Sequence, residues 1–182
     1  MVTLKTQRLI LHPVKISDAE AIYNLTRDEE ILKYTQVPRD YSIKKAREHI
    51  TKENKKVKQG KALHLAITLK ENKKINKQMI GIISLNSINK QHKRAAIGYW
   101  LGKQYRNKGY IKEACKVLLS FCFNQLKLNR IQFSCSTENK ASQKVIESLN
   151  AVFEGIQRQK TYKDCRFHDK RVYAILKEEY SR

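Results

Sequence analysis

Residues 62–101 hold three apolar runs in close succession, ALHLAITL, MIGIISLN and AIGYWL, and the middle one is almost without polar positions. In the first run Leu63, Leu65, Ile67 and Leu69 take alternate places, which is the period of a strand. A strand that is apolar on both sides needs a covering layer on each face. Three such strands, separated by the charged hairpin loop ENKKINKQ and the turn INKQHKR, predict a sheet with helices packed on it.

The rest of the chain supplies the helices and the remaining strands. Thr3 to Leu11 reads as a strand that ends at Pro13. Ser17-Asp18-Ala19-Glu20 has the S-x-x-E form of a capping box, followed by a helical face of Ala19, Ile22 and Leu25. Asp28 to Tyr34 fits a short helix closed by Pro38. Ser42 caps a third helix with Ile43, Ala46, Ile50 and Val57 on one side, and Gly60 ends it. Further on, Ile111, Ala114, Val117, Leu118, Phe121 and Cys122 trace a helical stripe, and IQFSC is a strand. Asn139 to Leu149 reads as a helix with Ala141, Val145 and Leu149 inward, before two last strands around VFEGIQRQ and RVYAIL. The order is strand, helices, three strands, helix, strand, helix, two strands: a mixed α+β sheet with flanking helices, in a single domain over residues 1–182.

Between AIGYWL and the Ala114–Phe121 helix stands QYRNKGYIKEA. The first amides of a helix lack internal partners and carry the positive end of the helix dipole, so they suit an anion. Gly109 removes the Cβ that would hold a phosphate off the backbone, and Arg106 and Lys108 add charge. The same residues also fit a plain basic turn. Neither G-x-x-x-x-G-K-[ST] nor G-x-G-x-x-G is present, which excludes the P-loop and the dinucleotide fingerprint.

Arg106-Asn107-Lys108-Gly109-Tyr110-Ile111 resembles the [QR]-x-x-G-x-[GA] coenzyme A signature of the GCN5-related N-acetyltransferases (GNAT), with Ile111 at the place of a Gly or Ala. TQRLIL, IGIISL, ENKASQKVIESLNAVFEG and RFHDKRVYAIL extend the resemblance along essentially the whole chain, toward the branch that acetylates ribosomal-protein N-termini at Ser or Ala. The resemblance implies a mostly antiparallel seven-stranded sheet, splayed between its fourth and fifth strands, here AIGYWL and IQFSC. It implies that acetyl-CoA, without a metal, lies in that cleft. Pantetheine would pair with backbone near Trp100 and Leu101, and pyrophosphate would sit on the amides of Arg106, Asn107, Lys108, Gly109, Tyr110 and Ile111. Asn139 would bond pantetheine, and Ser142 would lie near the thioester sulfur as a proton donor to the thiolate.

Acetyl transfer needs a neutral amine, a donor for the oxyanion and a path for the leaving thiolate. The base is open. Ala96 and Thr161 stand where relatives often carry a glutamate, so no carboxylate is carried over. Glu154, Asp164, Asp169, His64 and His168 are the other acid–base residues considered, each with a structural reading beside the catalytic one. Tyr99 and Trp100 read as cleft wall and core.

Formal charge is +21, from 38 Lys and Arg against 17 Asp and Glu. Such an excess draws an acidic partner and repels a polyamine, although Lys occurs in every segment and also fits a compositional bias. The expected acceptor is a primary amine, foremost a protein N-terminus on an acidic or ribosomal protein. The competing readings are a small amine (an antibiotic, an amino acid or a polyamine) and a catalytically weak RNA- or ribosome-binding protein. No RNA-recognition motif or aromatic platform supports direct nucleic-acid binding. The start MVTLKTQRLILHP lacks the form of a secretory signal, and no apolar run approaches the ~20 residues of a membrane span. Cys115, Cys122 and Cys135 lie in apolar stretches as reduced core thiols, and Cys165 in a polar, exposed one. These features predict a cytoplasmic protein, monomeric or homodimeric.

Overall fold

The strands are β1 (Leu4–Lys5), β2 (Leu9–Pro13), β3 (Leu63–Leu69), β4 (Met79–Asn89), β5 (Arg94–Leu101), β6 (Arg130–Ser136), β7 (Val152–Lys163) and β8 (Arg166–Leu176). The structure, a computed structural model, describes residues 2–70 and 78–180. The expected loop ENKKINKQ lies outside the described residues apart from Gln78. Among the described residues these eight strands form one sheet in the order β1-β2-β3-β4-β5-β6-β8-β7. Every pairing is antiparallel except β5 with β6. The helices are α1 (Ala19–Thr26), α2 (Glu29–Tyr34), α3 (Ile43–Lys58), α4 (Tyr110–Ser120), α5 (Lys140–Glu147) and α6 (Lys177–Tyr180). None of them is long and apolar enough to cross a membrane.

The central strands are covered on both sides, as their composition requires. From β3 and β4, Leu65, Ile67, Ile80, Ile83 and Leu85 join the larger core, with α4 residues Ala114, Leu118 and Leu119. Ala66, Met79 and Ile82 join a second core, with Ile22 of α1 and Ala46 and Ile50 of α3. Each fully buried Leu or Ile contributes roughly 1.5–3 kcal/mol relative to exposure. A π-turn, Phe121–Gln125, extends α4 and buries Phe121, Cys122 and Phe123. Cys115, Cys122 and Cys135 are buried free thiols, and Cys165 is free and exposed.

Four details differ from the sequence reading. The first strand is a hairpin: the Thr6 amide donates to Leu9 O (3.0 Å) and the Thr6 hydroxyl accepts from the Leu9 amide (2.9 Å), folding β1 onto β2. That turn makes the strand count eight where seven were expected. Ser17 caps nothing; a 3₁₀ turn, Ile16–Asp18, leads into α1, and Asp18 accepts from the Lys15 amide (2.7 Å). On α5 the buried positions are Gln143 and Ile146, while Ala141 is exposed. Gln143 can be inside because its amide donates to the carbonyls of Thr137 (2.9 Å) and Ser136 (3.3 Å), a role no apolar period announces. The last hairpin is also longer than either apolar core, with its two-residue turn at Asp164 and Cys165, both at positive φ.

Candidate active site

Strands β5 and β6 run together only from Arg94↔Arg130 to Ile97↔Phe133. Beyond that pair β5 continues to Leu101 and β6 to Ser136 without pairing to each other, so the sheet opens where splaying was expected. Gly81 of β4 sits against β5 at this point, and a Cβ there would come within 2.2 Å of Trp100 O. The opening is the middle of a cleft of about 960 Å³. Its walls include Gly98, Tyr99, Trp100 and Leu101 on one side and Phe133, Cys135, Asn139 and Ser142 on the other.

One end of the cleft is the start of α4. Asn107 (φ 61°) and Gly109 (φ 77°) turn the chain into the helix. A Cβ on Gly109 would meet only Arg8 Nη2, at 3.5 Å, so backbone conformation rather than space demands glycine. The amides of Asn107 to Ile111 have no acceptor among the described residues. The loop is held from behind: Arg8 donates to Lys108 O (3.0 Å), pairs with Glu113 (2.7 Å) and covers the Tyr110 ring. Burial pushes the Glu113 carboxyl up, but hydrogen bonds from Thr6 and Arg8 outweigh this and hold it below the usual range. Ile111 is buried in the larger core, so its bulk points away from the open amides. The Arg106 guanidinium is turned elsewhere, to Asp28 (2.6 Å), Glu30 and Leu101 O (3.3 Å), and its amide donates to Lys103 O (3.3 Å). Lys108 is exposed and is not part of the cleft wall.

At the opening, Asn139 Oδ1 caps α5 by accepting from the Ser142 amide (2.9 Å). Ser142 Oγ lies 2.9 Å from the Tyr99 hydroxyl. Burial pushes the Tyr99 phenol well above its ordinary value, so it stays protonated and can donate. Ser142 Oγ is the nearer acceptor, since Ser142 O lies at 3.4 Å. When Tyr99 donates to it, Ser142 keeps its own proton for a further acceptor. Burial also raises the Cys135 thiol, with the Lys170 ammonium and the Ser142 hydroxyl pulling back.

The far end of the cleft carries His49, Glu53, His64, Ser84 and Asn86. His64, Ser84 and Gly98 are in register across β3, β4 and β5. His64 is buried, its Nδ1 has no partner among the described residues, and its ring lies edge-on to His49. Burial lowers its pKa to about 4, so the imidazole is neutral near pH 7. The other acid–base residues considered lie elsewhere. Glu154 is paired to Arg130 (2.5 Å), Asp164 sits in the hairpin turn near Arg39 (3.6 Å), and Asp169 accepts from the Gln159 amide (2.8 Å). His168 bonds Lys163 O (3.2 Å) and lines a small side niche with Thr161. Sequence reasoning missed Tyr99 as a polar partner, and missed His49 and Glu53. The i, i+4 spacing of His49 and Glu53 put them on one helix face, but only the packing of α3 over β3 turns that face to the cleft.

The acetyltransferase (GNAT) domain profile matches residues 8–152. The chain is 33% identical over 181 residues to an uncharacterized N-acetyltransferase, p20, of Bacillus licheniformis, spanning 100% of this chain and 99% of that one. It is 30% identical over 99 residues to the ribosomal-protein-serine acetyltransferase of Escherichia coli, 54% of this chain and 55% of that one. Among solved structures, the complex of a ribosomal L7/L12 alpha-N-protein acetyltransferase, RimL, with coenzyme A superposes at a TM-score of 0.87, over 98% of this chain and 99% of that one, at 22% identity.

Proposed function

The chain belongs to the acetyltransferase (GNAT) domain family and is an N-acetyltransferase, and from that premise we propose that it moves an acetyl group from acetyl-CoA to the α-amine of a protein, foremost a ribosomal one. In this reading the coenzyme's pyrophosphate binds the open amides of Asn107 to Ile111, and its pantetheine runs along β5 at Trp100 and Leu101 and meets Asn139. The thioester then lies beside Ser142. A backbone N–H of the free β5 edge stabilises the oxyanion as the amine attacks. The C–N bond forms, the C–S bond breaks with its electron pair staying on sulfur, and the proton released from the nitrogen passes through solvent, which also supplies the proton that turns the thiolate into free coenzyme A thiol. Ser142, oriented by Tyr99, donates a hydrogen bond to the departing thiolate.

The observation that carries the α-amine is the state of the acids. Three carboxylates line the cleft, and each is tied to a cation: Glu30 to Arg106, Glu53 to Lys56 (2.7 Å) and Glu138 to Lys33 (3.0 Å). The Lys56 bond outweighs burial and holds Glu53 below the usual range, and Lys33 does the same for Glu138. Burial lowers His64 to about 4 and His49 in the same direction. Among the described residues of the cleft, the carboxylates are held by cations and His64 is shifted far below neutrality, so in this reading the amine arrives neutral by its own chemistry. At about pH 7.5 roughly a third of α-amines are neutral, against about one in a thousand lysine-type amines. The branch whose curated relatives are named for ribosomal proteins fits this preference.

Mass spectrometry of peptides carrying both a free N-terminus and an internal Lys tests the reading. Acetyl is expected on the α-nitrogen, with a pH–rate profile rising through the α-amine pKa. Acetylation of the Lys side chain, or faster turnover of small alkylamines, would overturn it.

A further inference from the structure

A second, narrower recess opens off the cleft between the end of α2 and the β7–β8 hairpin. It holds about 20 Å³, room for one water or one carboxylate oxygen. Its polar wall carries Ser136, Thr161, His168 and three lysines, and Ser136, Glu138 and Lys170 line both this niche and the main cleft.

The three lysines are not equivalent. Lys33 is paired to Glu138 (3.0 Å). Lys163 donates to the carbonyls of Leu32, Thr35 (2.6 Å) and Val37 (3.4 Å), tying the hairpin tip to the end of α2. Lys170, held opposite Ser136 by the β6–β8 register, is half-buried and has no acceptor among the described residues. Burial pulls its ammonium below the ordinary lysine value, with the neighbouring Cys135 sulfur pulling slightly back. A cation taken out of water without a counter-ion is unfavourable, and the deficit is made good by an anion of the right size. Around it stand the hydroxyls of Ser136 and Thr161, which can donate to such an anion.

We propose that this niche reads a carboxylate close to the acceptor's amine, with Lys170 as its counter-ion, so that favoured acceptors are acidic in the residues just after their N-terminus. The proposal rests on the α-amine reading and adds the chemistry by which one N-terminus is told from another. Lys170 is a specificity residue here; it touches the acceptor and takes no part in bond making.

The test uses the full chain and a panel of short peptides with Glu, Ala or Lys at the second, third or fourth position. Acetylation kinetics are measured, and peptide binding to the enzyme with coenzyme A is measured by calorimetry, which needs no turnover. At the favoured position Glu should lower KM and Kd about tenfold relative to Ala, and Lys should raise them. Lys170→Met should erase the Glu advantage, with the loss in KM, and Lys170→Glu should invert the order. Lys170→Met removes a desolvated charge, and its melting curve confirms that it folds. A Glu preference unchanged in Lys170→Met, or no preference in the unsubstituted enzyme, would overturn the proposal. Acidic peptides that bind through Lys170 yet are not acetylated on the α-nitrogen would sink the α-amine reading alone.

Discussion

At the scale of single residues, the proposed mechanism turns on the Tyr99–Ser142 contact, which would meet the departing thiolate. A serine is too weak an acid to surrender its proton to a thiol whose own pKa is near that of cysteine, about 8.5. In the proposed reading Ser142 therefore stabilises the thiolate by hydrogen bonding, with Tyr99 setting the direction of that bond. Ser142→Ala is expected to lower kcat about 10²-fold and Tyr99→Phe about tenfold, and the double variant should be no worse than Ser142→Ala. The unsubstituted enzyme and both variants should share a profile that rises and then levels, whereas a true general acid would add a fall at high pH. Additive losses would mean that Tyr99 acts only as packing. His64 gives a second prediction. Its folded value of about 4 lies below an unfolded value near 6.5, so the unfolded chain binds a proton that the folded chain refuses in between. The stability gained by keeping it neutral is complete above pH 6.5 and falls, by up to about 3 kcal/mol, as pH drops toward 4. Burial of His49 acts in the same direction. Urea midpoints at pH 7.5 and 5 should differ less in His64→Gln than in the unsubstituted protein; equal differences would refute the assignment. The sequence exposes neither contact, because Tyr99 meets Ser142 across the cleft and His64 meets His49 only once α3 packs over β3.

The element that was most legible is the strand–loop–helix unit around Gly109. Its apolar periods marked out β5 and α4, and the glycine between them marked the turn. What the periods could not say is which side chains would serve the loop. Arg106 looked like a phosphate contact and is instead the clamp on α2, while Arg8, about a hundred residues away, braces the loop from behind. Gln143 shows a related limit: its burial depends on the Ser136 and Thr137 carbonyls where β6 turns toward α5, which no apolar period marks. Two substitutions separate conformation from packing here. Gly109→Val forces a β-branched side chain into φ 77° and is expected to abolish coenzyme A binding in calorimetry. Ile111→Ala keeps the amide, so affinity should be preserved, but it empties a core position and should cost about 2–5 kcal/mol in urea unfolding. A Gly109→Val protein that binds coenzyme A as well as its parent would make the stretch an ordinary turn.

At the scale of the whole molecule, the net charge bears on which acceptors the enzyme would meet. The +21 excess is plain from composition, but its effect depends on where acids neutralise it. The paired carboxylates are used locally, on Arg8, Lys33, Arg39, Lys45, Lys56, Arg106 and Arg130, so most lysines among the described residues lack a carboxylate partner. Such a field raises the encounter rate with an acidic partner by roughly 10–10³-fold at low salt and works against a polycation. Screening shortens its reach to about 10 Å at 0.1 M ionic strength, so the benefit belongs to large acceptors, whose charges interact from afar, and much less to short peptides held in the niche. With acetyl-CoA saturating, kcat/KM for an acidic ribosomal protein should therefore fall at least about tenfold between roughly 20 and 300 mM salt. Over the same range kcat should stay level, and kcat/KM for a short neutral peptide should change far less. Spermidine should be the poorest acceptor at low salt and gain relative to the others as salt rises. A preference for spermidine at low salt, or a salt slope equal for protein and peptide, would show that the charge plays no part in choosing the acceptor and that selection rests on the niche alone.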